Sequence, residues 1–309
     1  MTPVTLTPVT LTPATRAALA AAGLDEAYVV DLVVRAVAED LAGGVDVTSA
    51  ATVDAGLRGV AAFVPRQDGI VAGTSVAMAV LDVVCAGDVT HRIVGRDGVP
   101  ATVGVAVLEA EGPVRALLTA ERTALNLLCH LSGVATLTRR WVDAVEGTGA
   151  RIRDTRKTTP GLRRLEKHAV RCGGGTNHRM SLSDAALVKD NHVVAAGGIR
   201  QAFEAVRRDF PGLAVEVECD TLAQVLEVLD AGADLVLLDN MTPAQLREAV
   251  GHCRSRGVLT EASGGLGLDT ARAVAQTGVD FLAIGALTHS APVLDLGVDL
   301  RIADSRIGA

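Results

Sequence analysis

Three lysines, Lys157, Lys167 and Lys189, fall in one stretch of a 309-residue chain whose other 26 basic side chains are all arginine. Lysine is a compact, mobile point charge and arginine a flat fork, so a chain that defaults to arginine keeps lysine where a point charge is wanted. Residues 151–192 hold ten basic and four acidic residues and three of the seven histidines, while the whole chain carries −7. A cationic island in an acidic protein suits an anionic ligand. Around it, apolar runs end in polar residues. ARIRDT leads to Asp154, Arg156 and Lys157, and ALVKDN to Lys189, Asp190, Asn191 and His192. AVEVEC carries Glu216 and Glu218, LVLLDN ends in Asp239 and Asn240, VLTEAS in Glu261 and Ser263, and FLAIGA in Gly285. One such run is ordinary loop polarity. A series of them in register makes a polar crater at one rim of a sheet.

The chemistry of that crater can be sorted by residue type. Ser263, Gly264 and Gly265, with Gly285 after the next apolar run, can turn backbone N–H groups towards a phosphate. Out of context the tripeptide is equally a tight turn. Its place in the last two apolar runs favours phosphate, as in barrels whose phosphate loops follow strands seven and eight. The glycines of CGGGTNHR (172–179) free the backbone to bend round a ligand beside His178 and Arg179. Neither cluster has the spacing of a P-loop or a dinucleotide fingerprint. Glu218 and Asp239, at neighbouring run ends, suit Mg²⁺ shared with a polyphosphate, or salt bridges to Arg and Lys. Glu121-Arg122 reads on spacing alone as a solvated helical pair. Trp141 reads as core, and Cys129 and Cys172 have no visible base to activate them.

The elements that must position these groups follow from periodicity. Residues 1–15 repeat TPVTL, TPVTL, TPATR, which disfavours packed structure and predicts a disordered tail. Residues 16–42 have helical spacing up to Gly43-Gly44. Short β-branched runs over 45–118, with a helix at 72–84, predict a small α+β sandwich. One or two helices follow over 119–146, with Gly133 at a break or a close contact. Strands then start near 214, 234, 258 and 280, alternating with helices at 198–208, 221–230, 243–256 and 268–277, and an earlier helix lies within 160–172. That alternation means βαβ units on a parallel sheet, and so many repeats favour a closed α/β barrel with its site at the C-terminal strand ends.

Composition removes several classes. Apolar residues make up 49% of the chain but only six are aromatic, so the core is aliphatic. The acidic balance argues against a nucleic-acid binder. No apolar run is long enough for a membrane span, and there is no secretory signal pattern, so a cytoplasmic protein is expected. Five cysteines, at 85, 129, 172, 219 and 253, are odd in number and lack CxxC spacing, which fits reduced thiols.

Several blocks together carry a specific likeness. They are AEDLAGGVDVTS (38–49), ERTALNLLCHLSGVAT (121–136), DTRKTTPGLRRLEKHAVRCGGGTNHRMSLSDAALVKDNH (154–192), VEVE (215–218), LLDNM (237–241), EASGG (261–265) and GVDFLAIGALTHSAPVLDLGVD (278–299). In this order they resemble the quinolinate phosphoribosyltransferase family. The resemblance implies an incomplete parallel α/β barrel of the type II phosphoribosyltransferase kind over 125–287. It also implies an N-terminal α+β sandwich over 16–124 to which 288–309 returns. It implies a pentosyltransferase that joins quinolinate to phosphoribosyl pyrophosphate and releases pyrophosphate and CO₂, in de novo NAD biosynthesis. Carried over by motif, Arg156, His178, Arg179 and Lys189 would bind the two carboxylates of quinolinate. Arg122 would join them from the partner subunit of a head-to-tail homodimer with shared sites, which replaces its reading as a solvated pair. Lys157, Glu218 and Asp239 would meet phosphoribosyl pyrophosphate and its Mg²⁺, and Ser263, Gly264, Gly265 and Gly285 would hold the 5-phosphate. Three rivals are a molybdenum-transport-associated paralogue, a nicotinate phosphoribosyltransferase and a non-enzymatic anion-binding barrel. The first two have less use for a two-carboxylate grip, and the third has no use for Glu218 and Asp239 beside a phosphate loop.

Overall fold

The computed structural model describes residues 11–302, so most of the Thr/Pro repeat lies outside the described residues. Its last copy does not form a tail. Leu11 is buried, Thr12 caps a helix by accepting from Thr15 N, and Pro13 occupies the first turn, where its missing N–H costs nothing. The chain divides into two compact units, one of residues 1–137, 160–173 and 291–309, the other of 138–159 and 174–290.

In the first unit, α1 (Pro13–Ala22) and α2 (Glu26–Leu41) replace the single helix expected over 16–42. Gly23, at φ 66°, ends α1 in the left-handed region, and Asp25 restarts the helix by accepting from Tyr28 N. Val29, Val33 and Val37 form the buried stripe of α2. Then come α3 (Val47–Thr52), β1 (Arg58–Pro65), β2 (Gly69–Ile70), α4 (Thr74–Val84), β3 (Thr90–Ile93), β4 (Pro100–Ala101) and β5 (Leu108–Pro113). The antiparallel sheet runs β12-β1-β5-β3, with β12 (Leu296–Ile302) arriving from the far end of the chain so that Gly59 faces Ile302 and Pro65 faces Leu296. The nearly wholly buried α4 packs on α1, α2 and β5, which makes the expected α+β sandwich. Asp97 serves as its N-cap from a distance, accepting from Gly73 N and Thr74 N, and also bonds His168 at 2.9 Å.

The long helix α5 (Val114–Ala144) is uninterrupted. The domain boundary expected at 124/125 and the division after Leu137 both fall inside it. Gly133 is a packing glycine. A Cβ there would lie 2.1 Å from the backbone oxygen of Pro292, so no side chain fits. Helix α6 (Arg163–Cys172), which the sequence places within the barrel, belongs to the first unit. Its buried face explains this: Leu165, Ala169 and Val170 are core, Glu166 bonds His130 at 2.9 Å, and His168 bonds Asp97. Lys167, on that helix, is fully buried and belongs to the first unit.

The second unit is the barrel. It contains β6 (Arg151–Arg153), β7 (Ala186–Val188), α7 (Asp190–Ala196), α8 (Ile199–Asp209), β8 (Val215–Cys219), α9 (Leu222–Asp230) and β9 (Leu235–Asp239). It continues with α10 (Pro243–Arg254), β10 (Leu259–Ser263), α11 (Ala271–Ala275), β11 (Phe281–Ala283) and α12 (Ala286–His289). The strands pair in parallel in the order β6-β11-β10-β9-β8-β7. Four strands start at 215, 235, 259 and 281, each within a residue of the periodicity. Capping boxes Thr221/Gln224 and Thr242/Gln245 start α9 and α10. The ring does not close as the repeat count suggests. Strands β6 and β7 do not pair, and beside β6 Thr176 makes one parallel bridge to Arg153. With six strands, Ser263 ends the fifth and Gly285 follows the sixth, so the glycine loops are those of the last two strands but not of strands seven and eight.

Candidate active site at the barrel mouth

The C-terminal strand ends meet round a cavity of about 270 Å³. Its lining includes Arg156 and Lys157 after β6, His178 and Arg179, Lys189 after β7, and Ser263 at the end of β10. Six of the residues expected to bind substrates therefore share one cavity. Each is placed by a specific local device. Asp154, fully buried, accepts from His178 N at 2.8 Å and Asn177 Nδ2 at 2.6 Å, which holds the glycine-rich loop against the end of β6. Gly174, at φ 90°, supplies the turn that brings the loop back. Lys157 O accepts from Thr288 Oγ1 at 2.8 Å, and the Lys157 stem crosses Gly285, where a Cβ would stand 3.0 Å from its Cδ. Gly285 thus keeps room for the lysine as well as exposing backbone.

The wall is cationic by crowding. The Arg179 guanidinium is held below its usual range, first by burial and then by the neighbouring Arg156 charge. Arg179 Nη1 donates to Ala185 O at 2.8 Å, and Arg156 Nε is buried with no hydrogen-bond partner among the described residues. Two guanidiniums forced together, one with an idle donor, suit a planar anion with more than one carboxylate. Lys189, 45% exposed, forms an ion pair with Glu218.

On the opposite strands, Ser263 and Asp239 face each other across the β9–β10 ladder. Asn240, at φ 53°, donates its backbone N–H to Ser263 O at 3.0 Å and its side chain to Asp239. Gly264, at φ 88°, fits beneath Asn240: a Cβ would lie 2.2 Å from Asn240 Oδ1 and 2.7 Å from its backbone nitrogen. Gly265 is also in the left-handed region, at φ 58°. Glu218 and Asp239 end neighbouring strands, two residues apart in register since Glu218 pairs with Leu237. Arg122 is not among the residues that line this cavity. It lies on α5 in the first unit, beside a second cavity that includes Glu39, Asp40 and Asn126.

Two buried carboxylates, one in the cavity lining and one bonded to His178, had no assigned role. Glu261 lines the cavity and pairs with Arg153 at 2.6 Å, and Glu216 accepts from His178 Nε2 at 2.7 Å. The VEVEC alternation put Glu216 and Glu218 on the same face of β8. That signal was available, but which carboxylate would be enclosed was not.

An incomplete parallel barrel with a cationic wall and a glycine turn after β10 is an arrangement that suits the phosphoribosyltransferase class. Residues 46–132 match the quinolinate phosphoribosyl transferase N-terminal domain and residues 134–299 its C-terminal domain. The chain belongs to the quinolinate phosphoribosyl transferase family. It is 52% identical over 274 residues to the nicotinate-nucleotide pyrophosphorylase [carboxylating] of Mycobacterium leprae, covering 87% of this chain and 96% of that protein. It is 41% identical over 265 residues to a probable enzyme of the same name from Methanothermobacter thermautotrophicus, covering 83% and 93%. Among solved structures, the nicotinate-nucleotide pyrophosphorylase of Francisella tularensis superposes with TM-score 0.86 at 36% identity, over 90% of this chain and 98% of that one. Human nicotinic acid phosphoribosyltransferase shares the fold alone, at TM-score 0.60 and 16% identity, over 80% and 70%.

Proposed function

We propose that the cavity holds quinolinate by its two carboxylates through Arg156, Arg179 and Lys189, with phosphoribosyl pyrophosphate across Lys157 and the Ser263-Gly264-Gly265 loop. The chain is a phosphoribosyltransferase and its reaction is that of the family: quinolinate and phosphoribosyl pyrophosphate give nicotinate mononucleotide, pyrophosphate and CO₂. The observation that carries the substrate arrangement is the crowded Arg156–Arg179 pair with its idle Nε donor.

The chemistry needs little beyond placement. The pyridine nitrogen attacks ribose C1 as the C1–pyrophosphate bond breaks, and fixed cations stabilise the departing charge. The positive charge of the quaternised ring nitrogen stabilises the electron pair left on C2 as the C2–carboxylate bond breaks and CO₂ leaves, and a proton from solvent then forms the C2–H bond of nicotinate mononucleotide. No covalent bond to the protein is required. Both ring nitrogens of His178 are engaged, Nδ1 by Arg179 N at 2.7 Å and Nε2 by Glu216, so its contact with a carboxylate requires release from one of them.

Glu218 and Asp239 fit Mg²⁺, which takes few protein carboxylates and completes its shell with water and phosphate oxygens. Bound there, Mg²⁺ supplies charge neutralisation for pyrophosphate. An ion held by Glu218 would compete with Lys189 for that carboxylate, and a released Lys189 would be available to a substrate carboxylate. Arg122 would enter from a second copy of the chain in a homodimer.

The deciding assay supplies enzyme, Mg²⁺ and phosphoribosyl pyrophosphate with either quinolinate or nicotinate and measures CO₂ and mononucleotide. Turnover of nicotinate but not quinolinate would sink this reading. For the shared site, Arg122→Ala and Lys189→Ala are each expected to be inactive and to regain partial activity when mixed. Absence of recovery argues for sites within one chain. For the phosphate loop, Gly264→Ala meets both the left-handed backbone, at about 1–2 kcal/mol, and Asn240. Its KM for phosphoribosyl pyrophosphate should rise about tenfold for each 1.4 kcal/mol lost, with the KM for quinolinate little changed.

A further inference from the structure

The cavity floor encloses ionisable groups that the reaction leaves without work. Glu261 Oε2 pairs with Arg153, and Glu261 Oε1 stands 3.7 Å from the His178 Nε2 that already donates to Glu216. The side chains of Glu261 and Glu216 are 0% and 4% exposed. Glu261 Oε1 and Glu216 Oε1 are both buried and have no hydrogen-bond partner among the described residues. A buried carboxylate oxygen without a donor is costly. His178 accepts at Nδ1, so it has one proton to give at Nε2, and Glu216 takes it. The floor is therefore one proton short.

The groups that face Glu261 are Arg153 from β6, His178 from the glycine loop and Glu216 from β8, while its strand partners Leu237 and Phe281 are apolar. Burial, then the charge of Glu216, raise its carboxyl to about 7, against the lowering by Arg153 and His178. The same three ligand atoms lie close enough to hold a metal ion. A metal ion on those atoms would have to displace the proton that His178 Nε2 donates to Glu216 at 2.7 Å, however. A proton displaces nothing.

We propose that Glu261 takes up a proton from solvent when dianionic quinolinate docks in the cavity, so that the substrate binds together with H⁺ and Glu261 acts as a positioning residue through His178. This rests on quinolinate occupying the cavity. An O–H bond forms at Glu261 Oε1, and no bond of quinolinate breaks. The cause is general: a new negative charge beside a carboxyl favours its neutral form. Protonated, Glu261 can meet Nε2 as a neutral neighbour, and the floor no longer repels the dianion.

The test is calorimetric titration of quinolinate into the whole protein near pH 8, in two buffers with different ionisation enthalpies. The observed heat should depend on the buffer with a slope of roughly one proton per site. Glu261→Gln, which keeps an oxygen for Arg153 and imitates the protonated acid, should bind quinolinate with the buffer dependence lost. In wild-type enzyme the KM for quinolinate should climb as pH rises above about 7, and in Glu261→Gln that climb should flatten. Binding with a buffer-independent heat overturns the inference, as does uptake that persists in Glu261→Gln. If quinolinate does not bind at all, the substrate reading falls, and the inference with it.

Discussion

Arg156→Ala is expected to lower kcat/KM for quinolinate by about 10²- to 10⁴-fold while the protein stays folded. Two charge-assisted hydrogen bonds to a carboxylate contribute about 1.5–3 kcal/mol each. The folded state loses little in exchange, because Arg156 Nε has no partner among the described residues and the adjacent Arg179 is relieved of a like charge. The melting temperature should therefore move by no more than about 1–2 °C. Arg156→Lys keeps the charge and loses the fork, so it should recover only a small part of the activity. Steady-state kinetics with each substrate varied separately decide the assignment. A raised KM for phosphoribosyl pyrophosphate, with that for quinolinate untouched, would move Arg156 to the other ligand.

Gly133→Ala is expected to destabilise the protein by about 3 kcal/mol or more, and the sign of the change is the diagnostic part. In an open helix, Gly→Ala stabilises by about 1 kcal/mol. Here the new methyl would meet Pro292 O at 2.1 Å and Val293 Cα at 2.9 Å, both backbone, so a side chain cannot rotate out of the way. The segment it would push carries Leu294, whose N–H donates to Cys129 O at 3.0 Å and which leads into β12. A fall in melting temperature of roughly 6–12 °C is expected. Activity per folded molecule should be retained at low temperature. A rise in the melting temperature would mean that the close approach of α5 and residue 292 is not as described.

The barrel strands were legible because each is a short apolar run bounded by turn residues, and that pattern is local. Ring closure was not. Whether β6 pairs with β7 depends on strand number and stagger round the whole ring, which no segment records. Helix α6 shows the same limit. Its spacing suits the barrel period, but its buried face answers to Asp97 and His130, far away in sequence. Gly23 divided a helix whose apolar spacing ran straight through it, because the period is blind to a left-handed φ. At the site, Arg156, Lys157 and Lys189 could be picked out as cations at strand ends, and Arg179 as one beside a glycine cluster. Glu216 and Glu261 could not be told from Glu218 by type. Only enclosure, and the single proton of His178 between them, separates their chemistry.

The route of the chain also governs the order in which the protein can be made. The chain passes from one unit to the other four times, so neither unit is a continuous stretch of polypeptide. The central strand β1 is synthesised early, yet one of its two partners is β12, whose Ile302 pairs with Gly59. On the ribosome, one edge of β1, with the buried Phe63 and Val64, must wait until residues 296–302 have emerged. Such an edge is a template for wrong pairing with another nascent chain. Shortening the protein by a few residues before Ile302 would therefore affect its yield from the cell before it affected the reaction.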